Sequence, residues 1–384
     1  MSKLVVIDDE RSFGDFVGRV AAAAGYEATV TNTAGEFRRA VEKEAPSVIV
    51  MDLQMPETDG FELLRELGDS HNKANMIIVS GAVDSRTMET ARRLGKELGL
   101  TMAGILEKPV RALDLQSLLA GLNGSAKAIT PDSLRAAIAN DRLFLAYQPK
   151  IDLRTKRLAG VEALVRWRDE SGKTIYPDAF IPLAERHNLI DDLTLWVVDR
   201  AFRQGGQWRA KGLDLKIAVN ISAKNIHDHN LPDLLEAKCR EADLPPNSVT
   251  LELTETASMQ NATMLLEVLG RFRVKGFNLS IDDFGTGYSS VVQLVRLPFS
   301  ELKVDKSFVM EMDRVKDSAI VAKTIIDMGH NLGLSVVAEG VEKESALKML
   351  CEYGCDFAQG RYFFMPMDAG RVEAHAALFA KGGP

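Results

Sequence analysis

Several short apolar runs in the C-terminal two thirds of this chain carry carboxylate, amide or ammonium side chains. They include Glu162 in VEALVRW, Asn220 in AVNIS, Glu252 in LELTET, Asp282 and Asp283 in SIDDFGTGYSS, Lys303 in ELKVDK and Glu339 in VVAEGVE. Grouped oxygen donors of this kind bind hard divalent cations. Two such cations suit the hydrolysis of a phosphodiester, and the pattern therefore predicts that chemistry.

A second set of polar residues closes apolar runs nearer the N-terminus. It comprises Asp8 and Asp9 after LVVI, Asp52 in SVIVMD, Ser80 in MIIVSG and Lys108 in GILEKP. The carboxyl ends of parallel strands meet at one sheet edge, where ligands bind. Three carboxylates there would repel one another without a divalent cation, and the hydroxyl and ammonium would complete a cradle for a phosphoryl group. An exposed Asp pair alone would be weak evidence, but the five residues together predict aspartyl phosphorylation.

The N-terminal residues 1–122 alternate β-rich runs with amphipathic stretches, which predicts a parallel sheet covered by helices. The strands read LVVID, EATVT, SVIVMD, MIIVSG and GILEKP. Gly, Asn, Ser and Lys then replace the apolar periodicity, and Thr130 before Pro131 resembles an N-cap followed by proline at the first helical position. We therefore expect a linker over 123–130 and a second domain over 131–384.

Strands and helices alternate about eight times in this second domain. The strands read FLAYQPKID, RLAGVEALVRW, KIAVNIS, VTLELTE, LSIDDF, ELKVDK, SVVAEGV and DFAQGRYF. Eight strands in about 250 residues predict a (β/α)8 barrel. Only a short polar turn around 154–157 joins the first two strands, so we expect that pair to be antiparallel.

The period-2 alternation of strands indicates which polar residues can meet. Glu162 shares a strand face with Arg166, and Lys303 shares one with Asp305. The adjacent Asp282 and Asp283 can both reach one site only if their strand ends there. Gly285 and Gly287 favour such an end.

An alternative is that these charges form ion pairs covering one end of the barrel, which for any single residue is the simpler interpretation. Taken together they favour catalysis, because active sites lie at the carboxyl ends of barrel strands. Oxygen ligands without paired Cys or His favour Mg²⁺ or Mn²⁺ over zinc.

Residues 1–122, with MDLQMPETDG and EKP, resemble the doubly wound, flavodoxin-like receiver domain of two-component response regulators. The resemblance implies that Asp52 accepts phosphate from a cognate histidine kinase. It implies one Mg²⁺ held by Asp8, Asp9, Asp52 and the Gln54 carbonyl, with Ser80 and Lys108 contacting the phosphoryl group. The family usually has Tyr or Phe three residues before the lysine, whereas this chain has Ile105.

Residues from about 130 to 380 resemble the EAL-domain cyclic di-GMP phosphodiesterases. The motifs are EALVR, LELTET, DDFGTGYSS, LKVDKSFV, AEGVE and AQG, in this order. The resemblance implies a modified TIM barrel with one antiparallel strand. It also implies a homodimer.

The resemblance further assigns roles to single residues. Two Mg²⁺ or Mn²⁺ ions would be bound by Glu162, Asn220, Glu252, Asp282 and Asp283. Lys303 would position or deprotonate the attacking water, and Glu339 would orient that water or reach a metal through solvent. Substrate contacts would come from Gln148, Arg166 and Gln359. Glu255, Gly285 and Gly287 match the loop that links dimer contacts to metal binding in this family.

The composition is that of an ordinary globular chain, with 384 residues, 46% hydrophobic and 26% charged. A formal net charge of −7 argues against DNA or RNA polymers as partners. Three cysteines are too few and scattered for a disulfide framework or zinc site. We expect Cys351 and Cys355 to share a helical face and to be buried. Without a signal-peptide core or a long apolar run, we expect a cytoplasmic protein that does not enter membranes.

Three functions follow from these observations. The leading one is a response regulator whose barrel hydrolyses cyclic di-GMP to linear pGpG under the control of Asp52 phosphorylation. The second is a receptor that binds cyclic di-GMP without turnover and signals through a protein partner. The third makes the receiver a phosphate-regulated docking surface and the catalysis of the barrel secondary.

Overall fold

The computed structural model describes residues 2–55, 58–81, 85–108, 110, 112–122, 129–170, 172–254, 262–285 and 291–379. The chain forms two compact units, Met1–Ala128 and Ile129–Pro384. Their division falls inside the linker predicted at 123–130.

The first unit contains a five-stranded sheet in the order β2-β1-β3-β4-β5, and every pair in it is parallel. Its strands are β1 Ser2–Ile7, β2 Tyr26–Thr31, β3 Val48–Asp52, β4 Asn75–Ser80 and β5 Thr101–Glu107. Its helices are α1 Arg11–Ala23, α2 Ala34–Glu44, α3 Gly60–Asp69, α4 Ser85–Glu97 and α5 Ala112–Leu122.

Alternating strand residues feed two separate cores, one on each face of this sheet. Val5 packs in a cluster with Phe37 of α2 and Leu63 of α3, whereas Val6 packs in a cluster with Val17 of α1 and Leu115 of α5. Helices therefore cover both faces of a parallel sheet, which confirms the predicted doubly wound fold.

The second unit is a closed barrel. Its strands are β6 Leu143–Asp152, β7 Arg157–Arg168, β9 Lys216–Asn220, β10 Val249–Thr254, β11 Asn278–Phe284, β12 Glu301–Val304, β13 Ser335–Ala338 and β14 Phe357–Ala358. Among these eight strands, all neighbouring pairs are parallel except those made by β6, which is antiparallel to β7 and to β14 and closes the barrel. The prediction of a (β/α)8 barrel with one antiparallel strand is confirmed.

Helices and short elements surround this barrel. The α-helices are α6 Pro131–Ala139, α7 Pro177–Arg186, α8 Ile190–Ala210, α9 Leu231–Glu241, α10 Ala262–Val274, α11 Val291–Arg296, α12 Lys306–Val309, α13 Lys316–Asn331, α14 Glu344–Glu352 and α15 Ala369–Phe379. Two 3₁₀ helices span Ala223–His227 and Pro246–Ser248, and an extra strand, β8 Thr174–Ile175, pairs with β7. The Thr130 side chain accepts a hydrogen bond from the Ser133 amide at 3.1 Å, as predicted for the N-cap of α6.

Two expectations about the end of the chain are wrong. The last strand contains only Phe357 and Ala358 of the predicted DFAQGRYF, because the following residues leave the sheet and turn against the β13–α14 loop. Cys355 is buried as expected, but Cys351 is exposed and Cys355 lies beyond the end of α14, so the two do not share a buried helical face.

None of the described helices combines the length and the hydropathy that crossing a bilayer requires.

Candidate active site

Strand alternation turns the polar residues of the barrel inward and their neighbours outward. On β7, Val161 and Ala163 join the main hydrophobic cluster, while Glu162 between them is buried against polar partners. Leu251 and Leu253 flank Glu252 on β10 in the same way. Local sequence pattern therefore determines which side chains meet at the barrel centre.

The Lys303 ammonium lies at the centre of these inward-facing carboxylates. Its Nζ is 2.6 Å from Glu339 Oε1, 3.0 Å from Glu252 Oε2, 3.0 Å from Asp282 Oδ1 and 3.5 Å from Glu162 Oε2. The side chain is only 1% exposed. These five residues are far apart in the sequence, between positions 162 and 339. The fold therefore brings residues of β7, β10, β11 and β12, and the residue that follows β13, into one charged cluster.

Two amides hold Glu162 within this cluster. Asn220 Nδ2 donates to Glu162 Oε1 at 2.9 Å, and Gln359 Nε2 donates to Glu162 Oε2 at 2.7 Å. Gln359 also donates to Glu339 Oε1 at 3.1 Å. Both oxygens of Glu162 are therefore fixed by side chains from separate strands and loops.

Burial and charge act in opposite directions on these groups. Burial disfavours the ammonium of Lys303, but the surrounding carboxylates outweigh it and hold its pKa well above the usual value. Burial raises the pKa of Glu252 well above its usual range, and the nearby carboxylates add to this effect. For Glu162 the effect of burial is outweighed by Lys303, Gln359 and Asn220, which together lower its pKa.

A β-bulge brings Asp282 and Asp283 to the same site. The strand β11 continues to Phe284, its register with β12 shifts between Ile281 and Phe284, and Asp283 has a left-handed φ of 55°. The strand ends one residue after this Asp pair, at the last residue of the predicted run LSIDDF, and the bulge before that end was not predicted. The bulge inserts an extra residue, so two consecutive side chains can turn toward one side.

Asp282, Asp283 and Glu339 form a compact carboxylate group, with ligand oxygens all within 4.8 Å of one another. Burial, followed by the Asp282 and Asp305 carboxylates, raises the pKa of Asp283 to about 7. Burial raises the pKa of Glu339 to about 8, against the opposing charge of Lys303. Both carboxyls therefore lose their protons less readily than ordinary side chains.

The donor set fits divalent metal ions. Four carboxylates contact the ammonium of Lys303, and a fifth, Asp283, lies beside two of them, Asp282 and Glu339. One lysine neutralises only part of that charge, and hard cations would supply the remainder. All the ligand atoms available are oxygens, which suits Mg²⁺ or Mn²⁺.

The other predicted substrate residues lie around the cluster. Gln148 is opposite Glu162 in the β6–β7 register and donates to the Phe364 carbonyl at 3.4 Å. Arg166 is partly buried on β7, and its Nη1 donates to the Val165 carbonyl at 2.8 Å. Burial lowers the pKa of Arg166, against the opposing charges of nearby acidic groups.

The predicted coupling loop is only partly within the described residues. Glu255 and Gly287 lie outside them. Gly285 is exposed directly after β11 with a φ of 103°, and a Cβ there would lie 2.9 Å from the Phe308 ring. This position therefore requires glycine for its backbone conformation and for its close contact.

The predicted receiver site is also assembled at the carboxyl ends of β1, β3 and β5. Lys108 Nζ is 2.8 Å from Asp8 Oδ2 and 2.7 Å from Asp52 Oδ2, and the carboxylates of Asp8, Asp9 and Asp52 can converge within 4.8 Å. Burial raises the pKa of Asp8, against hydrogen bonding and charge from Lys108. The backbone N–H of Gln54 donates to Asp52 Oδ1 at 2.9 Å.

A cavity of about 450 Å³ opens over these receiver residues. Ser80 is fully buried at the end of β4, and its hydroxyl has no hydrogen-bond partner among the described residues. The three carboxylates fit one hard cation, and the free hydroxyl fits an additional oxygen acceptor. Ile105 packs partly buried against the adjacent hydrophobic cluster.

Asp305 is a site residue that the sequence predictions did not include. It is 6% exposed, it caps α12 by accepting from the Ser307 amide at 2.9 Å, and its carboxylate helps to raise the pKa of Asp283. Its shared strand face with Lys303 was a signal that could have identified it.

Comparison with known families assigns both units. The family model of the EAL domain matches residues 132–366. The model of the response regulator receiver domain matches residues 4–120. The two matches correspond to the barrel and to the five-stranded unit.

Curated relatives are similar to this chain over different shares of its length. The cyclic di-GMP phosphodiesterase RocR of Pseudomonas aeruginosa is 33% identical over 335 residues, which cover 83% of this chain and 84% of RocR. The signaling protein YkoW of Bacillus subtilis is 34% identical over 303 residues, which cover 79% of this chain. This chain spans only 38% of YkoW, and it likewise spans about a third of several other longer relatives.

Solved structures resemble the barrel. The complex of the PaMucR phosphodiesterase with c-di-GMP has a TM-score of 0.60 and 40% sequence identity, over 63% of this chain and 98% of that one. An EAL domain protein of Listeria monocytogenes has a TM-score of 0.58 and 28% identity, over 66% of this chain and 100% of that one.

Proposed function

Because this chain belongs to the EAL domain family and carries an N-terminal response regulator receiver domain, we propose that its barrel hydrolyses cyclic di-GMP to linear pGpG. The observation that carries this proposal is the cluster of four carboxylates around the buried ammonium of Lys303. RocR, named as a cyclic di-GMP phosphodiesterase and similar over 84% of its length, supports the substrate.

Metal ions are part of this proposal. Glu162, Asn220, Glu252, Asp282 and Asp283 would hold two Mg²⁺ or Mn²⁺ ions, with the choice between these metals left to experiment. When bound, such ions make water more acidic and stabilise negative charge on the phosphate and the departing oxygen.

The residues of the chain position the reactants. Lys303 holds the attacking water, because the carboxylates around it keep the ammonium protonated and thereby favour positioning over proton removal. Glu339 orients the same water through its carboxylate. Arg166 offers N–H donors to a phosphate oxygen, and Gln148 and Gln359 contact the nucleotide.

The reaction opens one of the two phosphodiester bonds. The water oxygen bonds to phosphorus, the bond from phosphorus to the ribose 3′-oxygen breaks, and a proton of the water passes to that 3′-oxygen. The product is linear, with a 5′-phosphate at one end and a 3′-hydroxyl at the other.

In the receiver, Asp52 accepts the phosphoryl group from a histidine kinase. Asp8, Asp9 and Asp52, with the Gln54 carbonyl, would hold one divalent cation, and Lys108 and Ser80 would contact the phosphoryl oxygens. The ion pairs of Lys108 with Asp8 and Asp52 support this assignment. The homodimer implied by the family resemblance stays a prediction.

The test is turnover of cyclic di-GMP by the purified chain with Mg²⁺ or Mn²⁺, followed by chromatography of the linear product. We expect Glu162→Ala to lower turnover at least a hundredfold, because Glu162 meets Lys303, Asn220 and Gln359 at the centre of the site. Glu344→Ala, on the outer surface of α14, is the control and should keep activity. Full turnover by Glu162→Ala would refute the metal assignment.

If cyclic di-GMP binds tightly with Mg²⁺ but is recovered unchanged, the barrel acts as a receptor and not as an enzyme.

A further inference from the structure

An exposed aromatic residue stands at the carboxyl end of the barrel, beside a predicted phosphate contact. Tyr176 is 60% exposed. The extra strand β8 pairs Ile175 with Trp167, so the next residue, Tyr176, continues the hairpin alongside Arg166. Single exposed apolar side chains are common on protein surfaces, and exposure alone indicates no role.

The contact with Arg166 is the second observation. The Arg166 guanidinium lies over the Tyr176 ring, with 5.1 Å from Cζ to the ring centroid. Such stacking holds the guanidinium plane while leaving its edge N–H groups available to an acceptor. Tyr176 therefore orients the Arg166 guanidinium. Arg166 lies on the same face of β7 as Glu162, roughly 13 Å from it along the strand.

The residues that flank Tyr176 are well packed. Trp167 and Phe180 pack edge to face with 5.9 Å between ring centroids, and both are buried. Pro177 begins α7 directly after Tyr176 and fixes its own φ. The Tyr176 ring thus projects from a well-packed hairpin and helix start, which limits the entropy that ligand binding would remove.

We propose that Tyr176 is a base-stacking residue that receives one guanine of cyclic di-GMP while Arg166 contacts the adjoining phosphate. This inference rests on the proposed function. One face of the ring is covered by the guanidinium, and the exposed remainder offers a flat apolar surface to a purine. Arginine, tyrosine and guanine would then form one continuous stack, in which the cation strengthens the stacking of both rings.

Stacking requires an aromatic ring, which defines the variants. Loss of one base–aromatic stack weakens nucleotide binding roughly ten- to hundredfold. We expect Tyr176→Leu and Tyr176→Ala to raise KM for cyclic di-GMP by this factor while kcat changes less than about threefold, because the charged cluster is untouched. Tyr176→Phe should keep the wild-type KM. The Mn²⁺ concentration for half-maximal activity should be the same in the wild type and in the three Tyr176 variants.

The matched control is Tyr353→Leu. Tyr353 follows the C-terminus of α14, where Lys323 Nζ lies 5.6 Å from its ring centroid, so the same type of cation–aromatic pair is removed away from the site. KM should be unchanged in this variant. Thermal unfolding of each variant reports whether the protein is folded, and the high exposure of Tyr176 predicts a small change in Tm.

A binding measurement separates this inference from the proposed function. Calorimetric titration of cyclic di-GMP into each protein in EDTA reports affinity without turnover, and Tyr176→Leu should again bind roughly ten- to hundredfold more weakly. An unchanged affinity and KM in Tyr176→Leu, or equal weakening in Tyr176→Phe, would overturn the stacking role. Wild-type protein that binds but does not hydrolyse would refute the phosphodiesterase and leave the stacking result valid. Wild-type protein that neither binds nor hydrolyses would refute both.

Discussion

Lys303 has an unusual position for a lysine, since it is almost fully buried and contacts four carboxylates. A buried ion pair contributes little net stability by itself, but removing one partner leaves the other charge buried without compensation. The same residue can therefore support both the folded state and the reaction.

We predict that Lys303→Met lowers turnover of cyclic di-GMP at least a hundredfold, because the ammonium that positions water is lost. In EDTA it should also lower the free energy of unfolding by about 3–5 kcal/mol at pH 8. The loss should be smaller at pH 6, where the carboxylates take up protons. Chemical denaturation and product chromatography measure the two effects. Lys323→Met, at an exposed pair with Asp327, should change neither, and an active Lys303→Met would exclude the proposed role.

The raised pKa values of Asp283 and Glu339 predict how stability depends on pH without metal. Their values of about 7 and about 8 exceed the ordinary 3.8 and 4.5, so the folded state holds protons that the unfolded state releases. This contribution to stability is complete below about pH 4 and is lost as pH rises through 7 and 8. Bound divalent cations should compensate for the lost protons.

We therefore predict that Mg²⁺ or Mn²⁺ raises Tm more at pH 8.5 than at pH 6, relative to EDTA. Differential scanning fluorimetry at the two pH values measures this difference. Asp283→Asn removes one of the titrating groups, and it should reduce the dependence of the metal effect on pH. A metal effect of equal size at both pH values would contradict the charge argument.

At the scale of elements, most of the fold could be predicted because strand signals are local. Alternating apolar residues identified all eight barrel strands, and the short turn after β6 identified the antiparallel pair. The bulge at Asp283 could not be predicted, because a left-handed aspartate is fixed by tertiary contacts and not by local preference.

The site could be predicted in part, for the same reason. Inward-facing strand residues, such as Glu162 and Lys303, follow from alternation and topology. Gln359 donates to Glu162 and Glu339 because the chain leaves the sheet directly after the two-residue strand β14. The sequence predicts a longer strand there, so these hydrogen bonds could not be predicted. Tyr176 meets Arg166 only because of β8, which is too short to give a periodic signal.

The turn after β14 gives a prediction about Gly360. A Cβ there would lie 2.2 Å from the Val341 carbonyl oxygen, so Gly360→Ala must displace the loop that carries Gln359. We expect a lower Tm and a loss of turnover of about tenfold or more, since misplacement of a positioning group is costly. Gly270→Ala, within α10 and with no atom in reach of the new Cβ, should keep activity and stabilise the helix by up to about 1 kcal/mol. Equal behaviour of the two variants in fluorimetry and turnover would contradict this explanation.

For the whole molecule, the chain divides into two units, and the proposed reaction and its proposed regulation use residues of different units. The described residues of the charged barrel cluster all belong to Ile129–Pro384, and Asp52, the proposed phosphoryl acceptor, belongs to Met1–Ala128. We expect phosphorylation of Asp52 to act on the proposed reaction by shifting an equilibrium between states that the barrel already has.

This separation predicts the behaviour of Asp52→Asn. The variant should accept no phosphoryl group from acetyl phosphate, and its basal turnover of cyclic di-GMP should lie within about twofold of wild type, because the barrel cluster is intact. Acetyl phosphate should change wild-type turnover by a factor within about 5–150, the usual range of coupling between two sites, and should leave Asp52→Asn unaffected. Intact-protein mass spectrometry measures the phosphorylation, and chromatography measures the product.

Asp69→Asn, at the exposed end of α3, is the control and should respond to acetyl phosphate like the wild type. A response that persists in Asp52→Asn would assign the phosphoryl group to another residue. Loss of basal turnover in Asp52→Asn would instead mean that the receiver carboxylates support the active barrel even without phosphate. Because Lys108 joins Asp52 to Asp8, Asp8→Asn should then lower basal turnover as well, which distinguishes a role of the charge cluster from a role of Asp52 alone.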